Sequence, residues 1–558
     1  MDILQIGIVI VVLLLLVKPA GSYIYHVFSN ESNWTDRMFG PVEKFFYAVI
    51  GLRKRSGMSW KTYALSMMAT NVVLVAVSYA VLRWMGGLPA NPNGTGNMEA
   101  SLSFNTVISF MTNTNLQHYS GESGMSYLGQ MIVITMMMFT SAASGLAVAI
   151  AFMRGITRRG DGLGNFFEDF VKAHVRVFLP LALIVTLVLV GLKVPQTLEP
   201  TVTVNTLGGA VQHIAMGPVA SLESIKHLGT NGGGFFGANS SHPFENPSPL
   251  TNVIEILSMW TISAALPYTF GRFANNRKQG WILFSAMMVL FLAFLSLTYV
   301  SEKTGNPLIN QLGIDASQGS MEGKEVRFGV AQSALFTAVT TAATTGSVNN
   351  MHDTLTPLGG LAPLAQMMLN VVFGGKGVGL VNMLMYAILG VFICGLMVGR
   401  TPEFLGNKIE SREMKLIAVA ILAHPLIILA PTAISFLTHL GTDALSNPLY
   451  HGLSQSLYEF ASSAANNGSG FEGLGDNTVF WNVSTGLVML LGRYVSIIAL
   501  LAVAGSLSRK KPVPESIGTF RTDTKLFAGI LVGTVLLIGA LTFLPVLVLG
   551  PVAEFLTM

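Results

Sequence analysis

The sequence predicts an all-α polytopic membrane protein: four pseudo-symmetric helix–pore loop–helix units around one pore, with about ten transmembrane helices. Three observations carry this. Of the 558 residues, 51% are hydrophobic and only 11% charged, with a mean hydropathy of +0.58, whereas a soluble domain carries about 25% charged residues. Short polar stretches recur inside the apolar chain: Asn113-Thr114-Asn115-Leu116, Thr230-Asn231-Gly232-Gly233, Thr344-Thr345-Gly346-Ser347 and Asn466-Asn467-Gly468-Ser469. With Asn115, Gly232, Gly346 and Gly468 as equivalents, the intervals are 117, 114 and 122 residues, a near-constant period. Finally, the strongly basic loops all fall on one side of the predicted membrane.

The elements follow in order. The first helix is placed at 3–28; its apolar run 3–17 resembles a signal peptide, with Ala20-Gly21-Ser22 as small residues after it, but its start carries Asp2 and no basic residue. A retained first helix is therefore expected. A basic loop with Lys44, Arg53, Lys54, Arg55 and Lys61 closes this first segment, 1–61. Unit 1 (62–153) has a helix at 62–85, a short segment at 104–112, its loop, and a helix at 126–153. Unit 2 (154–272) opens on Arg154, Arg158, Arg159, Lys172 and Arg176. Its helix at 178–192 is followed by a short segment at 218–229, the clearest loop, and a helix at 251–270. Unit 3 (273–400) has a helix at 281–300, a short segment at 329–343, its loop, and an apolar region at 361–399. Unit 4 (401–508) has a helix at 416–440, a short segment at 453–465, its loop, and a helix at 479–507. A basic stretch and a last helix at 526–549 complete the chain (509–558). The positive-inside rule makes the basic side cytoplasmic, so both termini and all four polar loops face outward, in a multi-pass plasma-membrane protein. The single cysteine, Cys394, excludes an intramolecular disulfide and a thiolate metal site.

Each short segment is about 9 to 15 residues, too short to span, so it is expected to be re-entrant. Non-helical backbone at membrane depth persists only when buried in protein or lining a watery cavity. A re-entrant helix entering from outside aims the negative end of its dipole at the axis. Loop carbonyls there can replace the hydration shell of a monovalent cation, and glycine lets them turn inward through φ > 0. Thr and Asn add oxygens without charge, which suits a large, weakly hydrated ion, whereas carboxylates favour divalent ions. The candidate filter is thus the four stretches above. Glu122, Glu245, Asp353, Glu472 and Asp476 follow the loops. They read either as an outer mouth that concentrates cations or as ordinary surface acids.

These residues carry a resemblance. Gly229-Thr-Asn-Gly-Gly-Gly-Phe-Phe-Gly-Ala-Asn239, Ser347-Val-Asn-Asn-Met-His-Asp353, Gly399-Arg-Thr-Pro-Glu-Phe-Leu-Gly406 and Ser462-Ser-Ala-Ala-Asn-Asn-Gly-Ser469 resemble the potassium-binding component of Kdp-type bacterial potassium-transporting ATPases over the whole chain. The resemblance implies the fold of the wider superfamily of potassium transporters and potassium as the bound ion. It also implies a high-affinity uptake pump with three partner proteins: a P-type ATPase (KdpB) that hydrolyses ATP, a further component (KdpC) and a small one (KdpF). Membrane lipid is the remaining partner, and nothing points to nucleic acid. Two departures from symmetry stand out. Asn115 replaces the glycine of the other loops, so a side chain could stand in for a carbonyl. Loop 4 has two asparagines before its glycine, which leaves its register open by one residue.

Two basic residues fall at membrane depth. Lys376, in Phe373-Gly-Gly-Lys-Gly-Val-Gly379, interrupts the inner helix of unit 3. It reads as a tethered cation in a gating loop under the filter, or as a lysine paired with a nearby acid or carbonyl. Arg493 reads as a pore-lining charge or as a structural pair. Gln117 and His118 are placed to support loop 1, and His424, near Pro425, reads as a packing or kink residue.

The chain offers no nucleotide site. There is no G-x-x-x-x-G-K-[ST] motif. Ser301-Glu302-Lys303-Thr304-Gly305 resembles the Asp-Lys-Thr-Gly phosphorylation motif but has Glu for Asp, on the outer side. Energy must come from a partner or an ion gradient. That leaves the ion-binding component of a pump, a stand-alone channel or ion-coupled symporter, or a scaffold with structural loops, which would not explain the constant spacing.

Overall fold

The computed structural model describes residues 2–29, 31, 35–52, 56–157, 160, 162–313, 317–399, 401–514 and 519–558. Arg53, Lys54, Arg55, Arg158, Arg159 and Arg400 lie outside the described residues. Among the described residues, ten helices are long and apolar enough to cross a membrane.

In chain order the main elements are α1 (Asp2–Phe28), α2 (Thr35–Val49), α3 (Trp60–Trp84), α4 (Ala100–Met111), α5 (Gly129–Thr157) and α6 (Phe166–Gly191). A hairpin of β1 (Val202–Asn205) and β2 (Val211–Ile214) precedes α7 (Val219–Leu228), α8 (Pro249–Phe273), α9 (Arg277–Thr304) and α10 (Gly329–Ala342). Then come α11 (Pro357–Leu369), α12 (Val378–Met397), α13 (Ser411–Leu437), α14 (Leu449–Ala465), α15 (Val479–Leu507) and α16 (Lys525–Leu547).

Four of these helices, α4, α7, α10 and α14, have 12, 10, 14 and 17 residues. At about 1.5 Å per residue none reaches across roughly 30 Å of hydrocarbon. Each is flanked by one outer and one inner spanning helix. In the most apolar window of the inner helices α5, α8, α12 and α15, 72%, 78%, 61% and 56% of residues are buried. In the outer helices α3, α6, α9 and α13 the figures are 22%, 39%, 44% and 22%. The four units therefore share one layering: inner helices line a common core, and outer helices turn an apolar face to lipid. α1 packs on α8, and α16 on α9 and α12.

Local chemistry sets the boundaries. α8 starts at a capping box in which Ser248 Oγ accepts the Thr251 N–H (3.2 Å) and Thr251 Oγ1 accepts the Ser248 N–H (2.9 Å), with Pro249 in the first turn. The inner helix of unit 3 breaks as expected. Asn370 ends α11 in the left-handed conformation (φ 50), and Phe373, Gly374 and Gly377 also have positive φ. The Gly374 and Gly379 backbones pack so closely that a Cβ on either would collide with the other.

Two regions differ from the sequence expectation. The basic loop before α3 contains amphipathic α2, because its acids have a distant partner. Arg176 of α6 binds Glu43 (Nε–Oε1 2.5 Å) and Asp36. The polar stretch after α6 contains the β1–β2 hairpin, with Thr203 opposite His213. A buried clamp joins four helices nearby. Arg154 of α5 donates twice to Asp169 of α6 (2.7 and 2.9 Å) and once to the Phe28 carbonyl at the end of α1 (2.9 Å), while the Tyr63 hydroxyl of α3 also donates to Asp169 (3.1 Å). Removing one partner of such a buried pair costs about 3–5 kcal/mol.

Candidate functional site: a ring of four re-entrant loops

Each short helix runs into its loop with the same backbone. Two left-handed residues alternate in every one: Asn113 and Asn115 (φ 66 and 58), Thr230 and Gly232 (49 and 104), Thr344 and Gly346 (45 and 92), Asn466 and Gly468 (55 and 105). Between them, Thr114, Asn231, Thr345 and Asn467 donate their N–H to the carbonyls of Ser109, Lys226, Thr340 and Ser462 (2.9, 2.8, 2.7 and 2.9 Å). Asn466 is therefore the equivalent of Thr344 and Thr230, which fixes the register of loop 4. Asn115 takes the left-handed position that glycine fills in the other three loops; asparagine tolerates it better than most residues.

The loops close head to tail. A Cβ on Gly232 would strike the Thr345 carbonyl, one on Gly346 the Asn467 carbonyl, and one on Gly468 the Thr114 carbonyl. Between loops 1 and 2, Asn113 Nδ2 donates to the Thr230 carbonyl (2.6 Å) and Asn231 Nδ2 to Asn113 Oδ1 (3.0 Å). Asn466 Nδ2 donates to Thr114 Oγ1 (2.9 Å), and Asn467 Nδ2 to the Thr340 carbonyl (3.0 Å). Side-chain amides thus stitch the ring together. Among the described residues, the carbonyls of Thr114, Asn231, Thr345 and Asn467 accept no hydrogen bond. Buried carbonyls without donors are the groups a desolvated cation needs. Gln117 bridges loops 1 and 2: its Oε1 accepts the Gly234 N–H (2.8 Å) and its Nε2 donates to the Gly234 carbonyl (3.2 Å).

Beneath the ring lies the α11–α12 break. The Lys376 N–H donates to Thr230 Oγ1 (3.1 Å), and a Cβ on Gly375 would meet Thr344 Oγ1. Lys376 is buried, and its Nζ donates to the Met259 carbonyl of α8 (3.1 Å). Arg493 is also buried and donates to the Ser141 carbonyl of α5 (3.4 Å). The two meet at Gly145 of α5, whose absent side chain leaves room for the Lys376 carbonyl and for Arg493 Nη2. His424 Nε2 lies 3.3 Å from the Met367 carbonyl, in keeping with a packing role.

The acids after the loops divide into two groups. Glu122 accepts the Gly237 N–H (2.8 Å), Glu472 accepts the Asp353 N–H (3.0 Å), and Asp353 pairs with His451 (2.8 Å). All three are half-buried and bridge neighbouring quadrants. Burial pushes the Glu472 carboxyl up to about 7. Glu245 does not belong with them. It is fully buried and bonded to Lys226 (2.6 Å), so the outer-mouth expectation is corrected at this position. Glu302, in the motif-like Ser301–Gly305 stretch, is buried against Lys324 (2.6 Å) and accepts the Thr356 N–H (2.8 Å).

Sequence patterns alone do not reveal the polar network behind the ring. Seven residues before the first left-handed residue of each loop stand Thr106, Glu223, Thr337 and Glu459. Diagonal quadrants therefore carry a buried glutamate. The spacing is visible in the chain, but the partners are not. Glu459 faces His118 Nε2 (3.3 Å), with Asp476 at 3.9 Å, and His118 Nδ1 lies 2.7 Å from Asn482 Oδ1. Burial opposes a charge on His118, but Asp476 and Glu459 outweigh it and hold the imidazole up to about 9.

Four re-entrant helices delivering a closed ring of donor-free carbonyls define a membrane protein of the cation-pore class. The family described as "Potassium-transporting ATPase A subunit" matches residues 7–556, and the chain belongs to that family. It is 63% identical over 553 residues, 99% of both chains, to the "Potassium-transporting ATPase potassium-binding subunit" of Geobacillus kaustophilus (strain HTA426). The fold is also that of the potassium transporter TrkH from Vibrio parahaemolyticus (TM-score 0.52, 14% identity, 78% of this chain and 84% of that one). Potassium is accordingly the ion, and an ATP-driven potassium-transporting complex is the setting.

Proposed function

We propose that the ring is the potassium selectivity filter of the pump. It is formed by Asn113, Thr114, Asn115, Thr230, Asn231, Gly232, Gly233, Thr344, Thr345, Gly346, Ser347, Asn466, Asn467, Gly468 and Ser469. It opens outward, in a bacterial plasma-membrane protein with both termini external. The observation that carries this is the fourfold repetition of the left-handed pair with the next loop's carbonyl against three of its glycines. Glu122, Asp353 and Glu472 draw cations to its mouth. Lys376 and Arg493 place fixed positive charge beneath it, which opposes straight passage in a low-dielectric channel. Potassium then leaves sideways toward the P-type ATPase partner, KdpB, which binds and hydrolyses the ATP, in a complex completed by KdpC and the small KdpF.

The α11–α12 break directly under Thr230 and Thr344 favours this reading over a stand-alone channel, because a continuous pore would dissipate the gradient that a pump builds. The test is potassium-stimulated ATP hydrolysis by the assembled complex, titrated with potassium, rubidium and ammonium. Substitutions at Gly232, Gly346 and Gly468 should weaken potassium stimulation or erase discrimination. Unchanged titrations in all three would refute the filter.

A further inference from the structure

Behind loops 2 and 3 lies a wholly buried group of ionisable residues that the filter does not use. It comprises Glu223, Lys226 and His227 of α7, Glu255 of α8, and Glu245 from the segment after loop 2. α10 contributes the apolar ring of Phe336 (6.2 Å from the His227 ring), and loop 3 contributes Ser347. Among the described residues, its one fixed cation is Lys226, against three carboxylates. Two uncompensated charges in so dry a place would be costly.

Following the hydrogens locates the deficit. Lys226 Nζ donates to Glu223 Oε2 (3.0 Å) and Glu245 Oε2 (2.6 Å). The Phe236 N–H donates to Glu245 Oε1 (2.8 Å), and Ser240 donates to Glu223 Oε1 (2.9 Å). Glu223 and Glu245 are therefore satisfied. Ser240 has spent its single hydrogen, so at its 3.0 Å contact with Ser347 the donor is Ser347. His227 Nδ1 lies 3.1 Å from the Glu223 carbonyl, which can only accept, so Nδ1 carries a hydrogen. A neutral His227 then turns the lone pair of Nε2 toward Ser347 Oγ (3.1 Å), which has no hydrogen left, and Glu255 Oε2 (3.6 Å). Neither oxygen of Glu255 accepts a hydrogen bond, although the residue is 1% exposed.

We infer that Glu255 is held as a neutral carboxylic acid whose Oε2 turns its proton toward His227 Nε2, the nearest acceptor at 3.6 Å, making a proton-binding site behind filter loops 2 and 3. One proton supplies the missing donor, removes one of the two excess charges, and leaves a neutral imidazole. Burial favours that neutral pair over an ion pair. The ligand atoms of Glu223, His227 and Glu255 lie within 4.8 Å of one another, a spacing that could also hold a metal ion. The Lys226 ammonium at 2.9 Å from Glu223 Oε1 makes a proton the better occupant. The site bears on the ring because His227 stands just before Gly229-Thr230 and Ser347 follows Gly346. Losing the proton sets a bare carboxylate against the lone pair of His227 Nε2, and the repulsion displaces a ring that packs on Ser347 of loop 3. Potassium affinity should therefore fall at alkaline pH.

The test is infrared spectroscopy of the assembled complex across a pH titration, with metal analysis and potassium titrations. A neutral carboxylic-acid band should be present at neutral pH. One component of it should be missing in Glu255→Gln, a neutral mimic that should also bind potassium within about twofold of wild type and lose the alkaline fall in affinity. A band unaltered by Glu255→Gln overturns the inference. So does a stoichiometric divalent metal in wild type that is lost in that variant. If Glu255→Gln does not assemble, His227→Phe serves. Without its acceptor, the acid band must shift in frequency, and an unshifted band overturns the proposal equally.

Discussion

The carbonyl oxygen of Thr345 occupies the space where a side chain on Gly232 would begin. The same relation holds between Gly346 and Asn467 and between Gly468 and Thr114. Each of these glycines does two jobs: it takes a positive φ, and it lets the next loop's carbonyl come close. Alanine at any of them meets backbone strain of about 1–2 kcal/mol plus a collision with main chain that cannot rotate away. We expect Gly346→Ala to weaken potassium stimulation of ATP hydrolysis by at least about tenfold, with assembly checked by yield of the purified complex. Wild-type titration in a well-assembled variant would argue against ring closure.

Lys376→Ala should raise passive potassium leak. Its Nζ rests on the Met259 carbonyl while its own N–H holds Thr230, so truncation removes the amine and leaves the loop tied to the filter. Potassium flux in liposomes should increase severalfold with filter affinity nearly intact, and hydrolysis should uncouple from uptake. A stable complex with no added leak and normal coupling would assign the lysine a structural role.

Potassium capture should depend on external pH through Glu472. Burial raises its carboxyl to about 7, so it is neutral below that pH and negative above it. Its attraction for cations is absent in acid and appears as pH rises from about 6 to about 8, by a few-fold at low salt and less at high salt. The apparent potassium affinity should improve over that window, and Glu472→Gln should flatten it. This rise and the alkaline fall expected from Glu255 separate by variant.

The purified chain in liposomes should hydrolyse no ATP. Glu302, the only acid placed like a phosphorylated aspartate in a Lys-Thr-Gly context, is buried on Lys324 and Thr356. Adding the ATPase partner should give potassium-stimulated hydrolysis. Activity in a rigorously purified preparation of this chain alone would refute the division of labour.

The spans, the four loops and the break at Phe373–Gly379 are legible along the chain alone. Those depend on local quantities: the length of an apolar run, a glycine or asparagine that tolerates positive φ, and a segment too short to cross a bilayer. The family is legible too, because the loop motifs are long. Three features needed the folded molecule: the closure of the loops in the order 1–2–3–4, the equivalence of Asn466 and Thr344 in loop 4, and the division of the acids by partner. Glu122 and Glu245 look alike in sequence, each a glutamate a few residues past a polar loop. One meets an exposed N–H of Gly237, and the other a buried ammonium nineteen residues earlier, Lys226. Asp36 and Glu43 likewise find Arg176 across more than a hundred residues, which turns an expected loop into α2. A charge takes its role from whatever desolvated group lies opposite it, and that neighbour is set by packing between helices rather than by spacing along the chain.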